Sequence, residues 1–194
     1  MQNYPKIIAI CGRRRSGKDT IADILCKDYG YHKIHIADLL KKVVQDMFDF
    51  DHKQIETNAK DEVDPRWGIA PREAMQFFGT NIMQYKIQEL IPGIGKKFWI
   101  KSFLTKHIDE NHANIRYVIP DLRFLHEEEE LRKRGAVFWR VIRPQAIYTN
   151  AFDEHISEHE WTKINVDHTF VNDASIEELQ KSISTLMPTS MQSS

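Results

Sequence analysis

A nearly all-apolar run, Lys6-Ile-Ile-Ala-Ile-Cys11, leads directly into Gly12-Arg13-Arg14-Arg15-Ser16-Gly17-Lys18-Asp19-Thr20, and a helical pattern follows at once. The stretch matches G-x-x-x-x-G-K in the strand–loop–helix setting that the motif requires. Gly12 and Gly17 let the backbone turn tightly and aim N–H groups inward. The following helix points its positive end at the same place, and Lys18 adds an ammonium for outer phosphates. The pattern predicts a loop that cradles a polyphosphate. One position departs from it. After the lysine a Ser or Thr usually supplies a hydroxyl for magnesium, but here Asp19 stands there and Thr20 comes next. An aspartate beside polyphosphate needs a cation to neutralise it, so Asp19 and Thr20 are candidate metal contacts, directly or through water.

Further strands are expected at His32 to Ala37, Ile115 to Ile119, Ala136 to Ile142 and His168 to Val171. Helical spacing runs over Thr20 to Tyr29, stopped by Gly30, and over Ala37 to Phe48, Pro71 to Ile91, Lys96 to Asn111 and Glu127 to Arg134. Ser175 and Glu178 read as a capping box for a last helix. Strand and helix in alternation predict an α/β fold: a parallel five-stranded sheet with helices on both faces. The strandless stretch at about 49–114 reads as a helical insertion into one domain spanning 1–187, and the polar residues 188–194 as a flexible tail. Ligands in such sheets bind beyond the carboxyl ends of the strands.

The 194 residues carry 27 Lys and Arg against 28 Asp and Glu, a net charge of −1, so the chain lacks the basic excess of a nucleic-acid binder. Its 41% hydrophobic and 28% charged residues fit a globular domain and exclude disorder for the bulk of it. No run approaches the ~18 apolar residues of a membrane span, and Ile7 to Cys11 is too short for a signal-peptide core. The two cysteines, Cys11 and Cys26, fall short of a disulfide framework and predict buried thiols in a reducing, cytoplasmic setting.

Other polar groups recur at informative places. Arg14 and Arg15, inside the loop, are placed to stabilise a transferred phosphoryl group; Arg13 reads as a solvated basic turn. Arg72, Gln76 and Thr80 are four apart on one predicted helix face, with Ala74, Phe77, Phe78 and Tyr85 on the buried side. Arg72 and Gln76, one turn apart, suit an acceptor phosphate and a base edge, or a plain solvent face. Gly79 in mid-helix points to the close approach of another group. Asp121 follows a strand, with Arg123 and Glu127 after it, and suits magnesium or an attacking group, or a helix cap. The pairs Glu128–Arg132, Glu129–Lys133 and Glu130–Arg134 read as a solvated face. Arg143 ends a strand before Pro144. His155 and His159 have zinc spacing without the H-E-x-x-H order, and Trp161 beside them suits packing or stacking.

Taken together, Ser16-Gly-Lys-Asp-Thr20, Pro71-Arg-Glu-x-x-Gln76-x-x-Gly79-Thr80, Asp121-x-Arg-Phe124-x-x-Glu127, His155-x-Ser-Glu158 and Val171-Asn-Asp173 resemble the deoxynucleoside monophosphate kinases of bacteriophages and large DNA viruses. The first two motifs are also similar to animal-type phosphomevalonate kinase, which leaves a small-metabolite kinase as an alternative. A nucleotide-dependent switch is a third reading, although no N-K-x-D motif is present. The resemblance implies a nucleoside monophosphate kinase fold, ATP as donor, magnesium as cofactor, a dNMP as acceptor and a homodimer. It implies that Gly12, Ser16, Gly17 and Lys18 hold donor phosphates, and that Arg14, Arg15 and Arg72 bind phosphates around the transfer; Arg143, from its strand end, reads as a catalytic arginine near the nucleotide or a surface one. Asp19, Thr20 and Asp121 would organise magnesium or position the acceptor. Gln76 and Trp161, with Arg123 and Glu127, would face the acceptor, and Asn172 and Asp173 the donor adenine.

Overall fold

The protein is described by a computed structural model covering residues 4–109, 115–144 and 159–187. His155, Glu158 and the tail 188–194 lie outside the described residues. Along the chain come β1 (Ile7–Gly12), α1 (Lys18–Tyr29), β2 (His32–Lys33), α2 (Asp38–Phe48), α3 (His52–Glu56), α4 (Pro71–Gln76) and α5 (Phe98–Leu104). Then follow β3 (Tyr117–Leu122), α6 (Leu125–Arg132), β4 (Val137–Ile142), β5 (His168–Val171) and α7 (Ile176–Leu186). The chain divides into two compact units, one of Met1–His35 with Ala113–Ser194 and one of Ile36–His112.

In the first unit β1 is buried along its whole length because it lies at the centre of a five-stranded parallel sheet, in the order β2-β3-β1-β4-β5. Ile8 and Ile10 join Val118, Trp139, Val141 and Phe170 on one face, packed with Ile21 and Leu25 of α1 and Leu179 and Ile183 of α7. Phe138, of opposite parity on β4, carries the Arg132 guanidinium of α6 at 4.3 Å from its ring centroid. Helices therefore cover both faces, as the alternating pattern predicts. Gly30 ends α1 in a left-handed conformation, its N–H bonded to the Leu25 carbonyl. Ser175 Oγ accepts from the Glu178 N–H, which makes half of the expected box.

Two strand expectations are corrected by one proline. Strand β3 continues through Pro120 and Asp121 instead of ending before them, and its register on β1 shifts between Ala9 and Cys11. On the other side, β2 is two residues long rather than six. The parallel ladder proceeds from His32 N–H on Arg116 O to Ile34 N–H on Val118 O. The next rung would need an N–H from residue 120, and proline has none. Asp121 thus lies in a strand and does not cap a helix. The caps on α6 come from elsewhere: the helix begins at Leu125, two residues before its expected start, with Phe124 as N-cap.

The second unit is helical, as expected, but its longest segment is not a single α-helix. α4 stops at Gln76, a π-helix runs over Phe77–Tyr85, and a short 3₁₀ turn over Lys86–Glu89 follows. α5 likewise gives way to a π-helix over Thr105–Asp109. The wider i→i+5 winding shifts the face that each residue presents. Phe77 and Tyr85, expected inside, are 50% and 46% exposed, whereas Thr80 and Gln84 are buried. A compact cluster of Val44, Phe50, Ile55 and Ala74 forms the core of this unit. Gly79 does mark a close approach. A Cβ there would lie 2.7 Å from Leu40 Cδ2, and its carbonyl accepts from Trp99 Nε1 at 2.9 Å. Trp99→Phe keeps the ring packing but removes that bond, so it is expected to lower the unfolding free energy by about 0.5–1.5 kcal/mol. Urea unfolding followed by circular dichroism checks this.

Candidate active site

The turn that leaves β1 is built against its neighbours. Gly12 has φ 148°, and a Cβ there would lie 2.4 Å from the Val141 carbonyl oxygen of β4. Gly17 has φ 106° and would place a Cβ 2.2 Å from the Asn172 amide nitrogen. Arg15 takes a left-handed φ of 58° at the tip. Gly17 is also the N-cap of α1 and has no side chain to spend on the first-turn N–H groups, which leaves those donors for an anion. The buried Lys18 reaches back across the loop and donates through Nζ to Gly12 O at 2.9 Å and Arg13 O at 2.7 Å. Ser16 Oγ is buried at the same bend without a hydrogen-bond partner among the described residues. Asn172 Nδ2 donates to Ser16 O at 2.8 Å.

Four further candidates of the first unit stand at carboxyl ends of strands. Asp121 is near the end of β3 with Arg123 just after it, Arg143 is exposed just after β4, and Asp173 is exposed just after β5. Trp161 is half-buried in a 3₁₀ turn over Glu160–Lys163. Thr20 is half-buried in the first turn of α1. Asp19 turns an exposed carboxylate to His35 Nε2 at 3.6 Å and Lys33 Nζ at 4.0 Å. The His35 imidazole, ahead of the Lys33 and Lys18 charges, holds that carboxyl below its usual range. No motif singles out His35 or Lys33; the only signal is their period-2 spacing, which puts both on one side of an extended segment. Cys11 lies buried beneath the loop, where burial pushes its thiol up against the opposing pull of Arg140 and Lys18. Arg140 is held by the Thr162 and Ile164 carbonyls at 3.1 and 2.6 Å.

Glu127, expected to face the acceptor, is buried at the bend after β3. Its Oε2 accepts from the backbone N–H groups of Arg123 at 2.9 Å and Phe124 at 3.0 Å, which fixes the bend between β3 and α6. Burial, with Asp121 adding to it, pushes its pKa up to about 8 against the pull of those N–H groups. In the second unit Arg72 is buried and paired with Asp61, and Gln76 is half-buried at the end of α4. Among the described residues no cluster of three or more His, Cys, Asp or Glu side chains is placed to hold a metal, and no helix is long and apolar enough to cross a membrane.

The chain matches the family model described as deoxynucleotide monophosphate kinase over residues 6–61 and 45–183. It is 30% identical over 188 residues to the "Putative deoxynucleotide monophosphate kinase" of Acanthamoeba polyphaga mimivirus, covering 91% of this chain and 93% of that protein. It is 28% identical over 124 residues to the deoxynucleotide monophosphate kinase of Enterobacteria phage T4, covering 63% of this chain but 46% of the phage protein. Shikimate kinase from Aquifex aeolicus superposes with a TM-score of 0.46 at 15% identity, over 93% of this chain and 94% of that one.

The raised pKa of Glu127 has a defined sign. Its folded value of about 8 lies above the ordinary 4.5, so its contribution to stability is complete below that lower value and is lost as pH rises through about 8. Glu127→Gln keeps an acceptor for both N–H groups and removes the titration. Unfolding free energies measured from pH 5 to pH 9 are expected to fall more steeply for wild type than for this variant. Parallel curves would show that the buried acid does not titrate in this range.

Proposed function

Because the chain belongs to the deoxynucleotide monophosphate kinase family, we propose that it transfers the γ-phosphoryl group of ATP to a deoxynucleoside monophosphate, with magnesium, to give the diphosphate. The observation that carries this reading is the loop itself: a glycine-capped helix start, a left-handed tip and a lysine ammonium gathered around one concave turn. Gly12, Ser16, Gly17 and Lys18 serve the donor phosphates. The acceptor's phosphate oxygens already carry charge at neutral pH, so alignment and neutralisation matter more than a strong base. Arg14, Arg15, Arg123 and Arg143 supply positive charge at the loop and the strand ends, and Arg14 and Arg15 act on the transferred group. Arg72 and Gln76 are assigned to the acceptor, with Trp161 for its base, and Asp173 to the donor's adenine.

The residues present suit magnesium. Asp19, Thr20 and Asp121 offer oxygen atoms of the hard kind that it takes, and with too few carboxylates for a site made of protein alone, phosphate oxygens complete the set. The chemistry a bound magnesium supplies is neutralisation of charge on the outer phosphates. Asp19, like any aspartate at neutral pH, is anionic, and its neighbours favour that form further. We also place the enzyme in the cytoplasm, acting on small molecules as a homodimer, on the strength of the family resemblance. Sedimentation equilibrium is expected to give twice the 22.8 kDa chain mass.

A panel of monophosphates with ATP and magnesium, read as ADP formation, is expected to show turnover with deoxynucleotides above ribonucleotides or phosphomevalonate. No ADP with any nucleotide acceptor would defeat the reading. Lys18→Ala is expected to cut the rate by roughly 10²–10³-fold while leaving the circular dichroism spectrum unchanged.

A further inference from the structure

We propose that Asn172 is a positioning residue for donor binding: its side-chain amide sets the peptide between Ser16 and Gly17 so that the Gly17 N–H faces the bound phosphates. The inference rests on the reading of the loop as an ATP site and changes the part expected of Asn172, from the adenine to the phosphates.

The amide nitrogen donates to the Ser16 carbonyl at 2.8 Å across 156 positions of sequence. Only the nitrogen can face a carbonyl, since the reversed amide would set two acceptors against each other. Asn172 is itself fixed, because its backbone N–H donates to Ile142 O at 2.7 Å, one step beyond the Ile142–Val171 pair that ends the β4–β5 ladder. The sheet therefore holds the amide, and the amide holds the loop. A trans peptide is planar, with its C=O and the following N–H on opposite sides. Turning the Ser16 carbonyl out toward Asn172 turns the Gly17 N–H in, toward the inner side of the loop.

The close fit at Gly17 agrees with this. A Cβ there would meet the Asn172 amide nitrogen at 2.2 Å, so the glycine is demanded by the amide's approach as well as by its φ of 106°. On the other flank Gly12 abuts the Val141 carbonyl, and its Cβ position lies 3.0 Å from Ser16 Oγ. The loop is thus braced by the ends of β4 and β5, and Asn172 is the brace that acts through a directional bond. Its effect reaches the phosphates without touching them.

Isothermal titration of the full chain with ATP and with inorganic tripolyphosphate, both with magnesium, separates the two parts Asn172 could play. Asn172→Ala removes the donor, and the isosteric Asn172→Asp sets a carboxylate against the Ser16 carbonyl. Both variants are expected to bind both ligands about tenfold more weakly, by the same factor, with melting temperatures close to wild type. A loss for ATP alone, with tripolyphosphate unaffected, would return Asn172 to the adenine and overturn the proposal. So would variant affinities equal to wild type for both ligands. Should Asn172→Ala fail to fold, the same comparison with Asn172→Asp decides. Wild-type protein that bound neither ligand would instead refute the ATP-site reading, and this inference with it.

Discussion

The structure turns on how closely the chain leaving the central strand passes its neighbour. The Val141 carbonyl lies where a Cβ of residue 12 would have to be, 2.4 Å away, so only glycine can make that exit. Given that exit, the loop folds back over the carboxyl end of β1 and delivers Lys18 to the Gly12 and Arg13 carbonyls. The sheet order makes the approach possible, because β1 has β3 on one side and β4 on the other. Because the strands are parallel, the chain leaves β3, β1 and β4 at the same carboxyl edge of the sheet, the edge at which open parallel sheets take their ligands.

The charges at that edge are disciplined by geometry rather than by number. Asp19 is paired with His35 and Lys33, and Arg140 is tied to backbone carbonyls. Glu127 is spent on two N–H groups of its own bend. Each arrangement removes a group from competition with a polyanion, or fixes its sign, before the polyanion arrives. The cost is a buried acid with a raised pKa, accepted where it holds the Arg123 and Phe124 backbone at the strand end.

Much of this was legible in the residues, and the exceptions have physical causes. The loop, the central strand and the sheet could be read because glycine spacing and a doubly buried apolar run each have few structural solutions. The part Glu127 plays at its own bend is not legible in sequence, which shows that a carboxylate is near a strand end but not that two backbone donors bind it. The length of β2 was overestimated, since its ladder depends on whether residue 120, far along the chain, has an N–H to give. The π-helix over Phe77–Tyr85 was invisible because the apolar spacing there is compatible with ordinary helical winding, and the choice of wider winding is made by packing. Asn172 shows the same limit: its partner lies 156 residues away.

The shortness of β2 has a consequence for assembly. The sheet ends on that side in two residues, a histidine and a lysine, both exposed. A rim so brief, and carrying a cation, offers almost no row of free amide and carbonyl groups for a foreign strand to copy. That margin is therefore a poor template for growth by adding strands edge to edge.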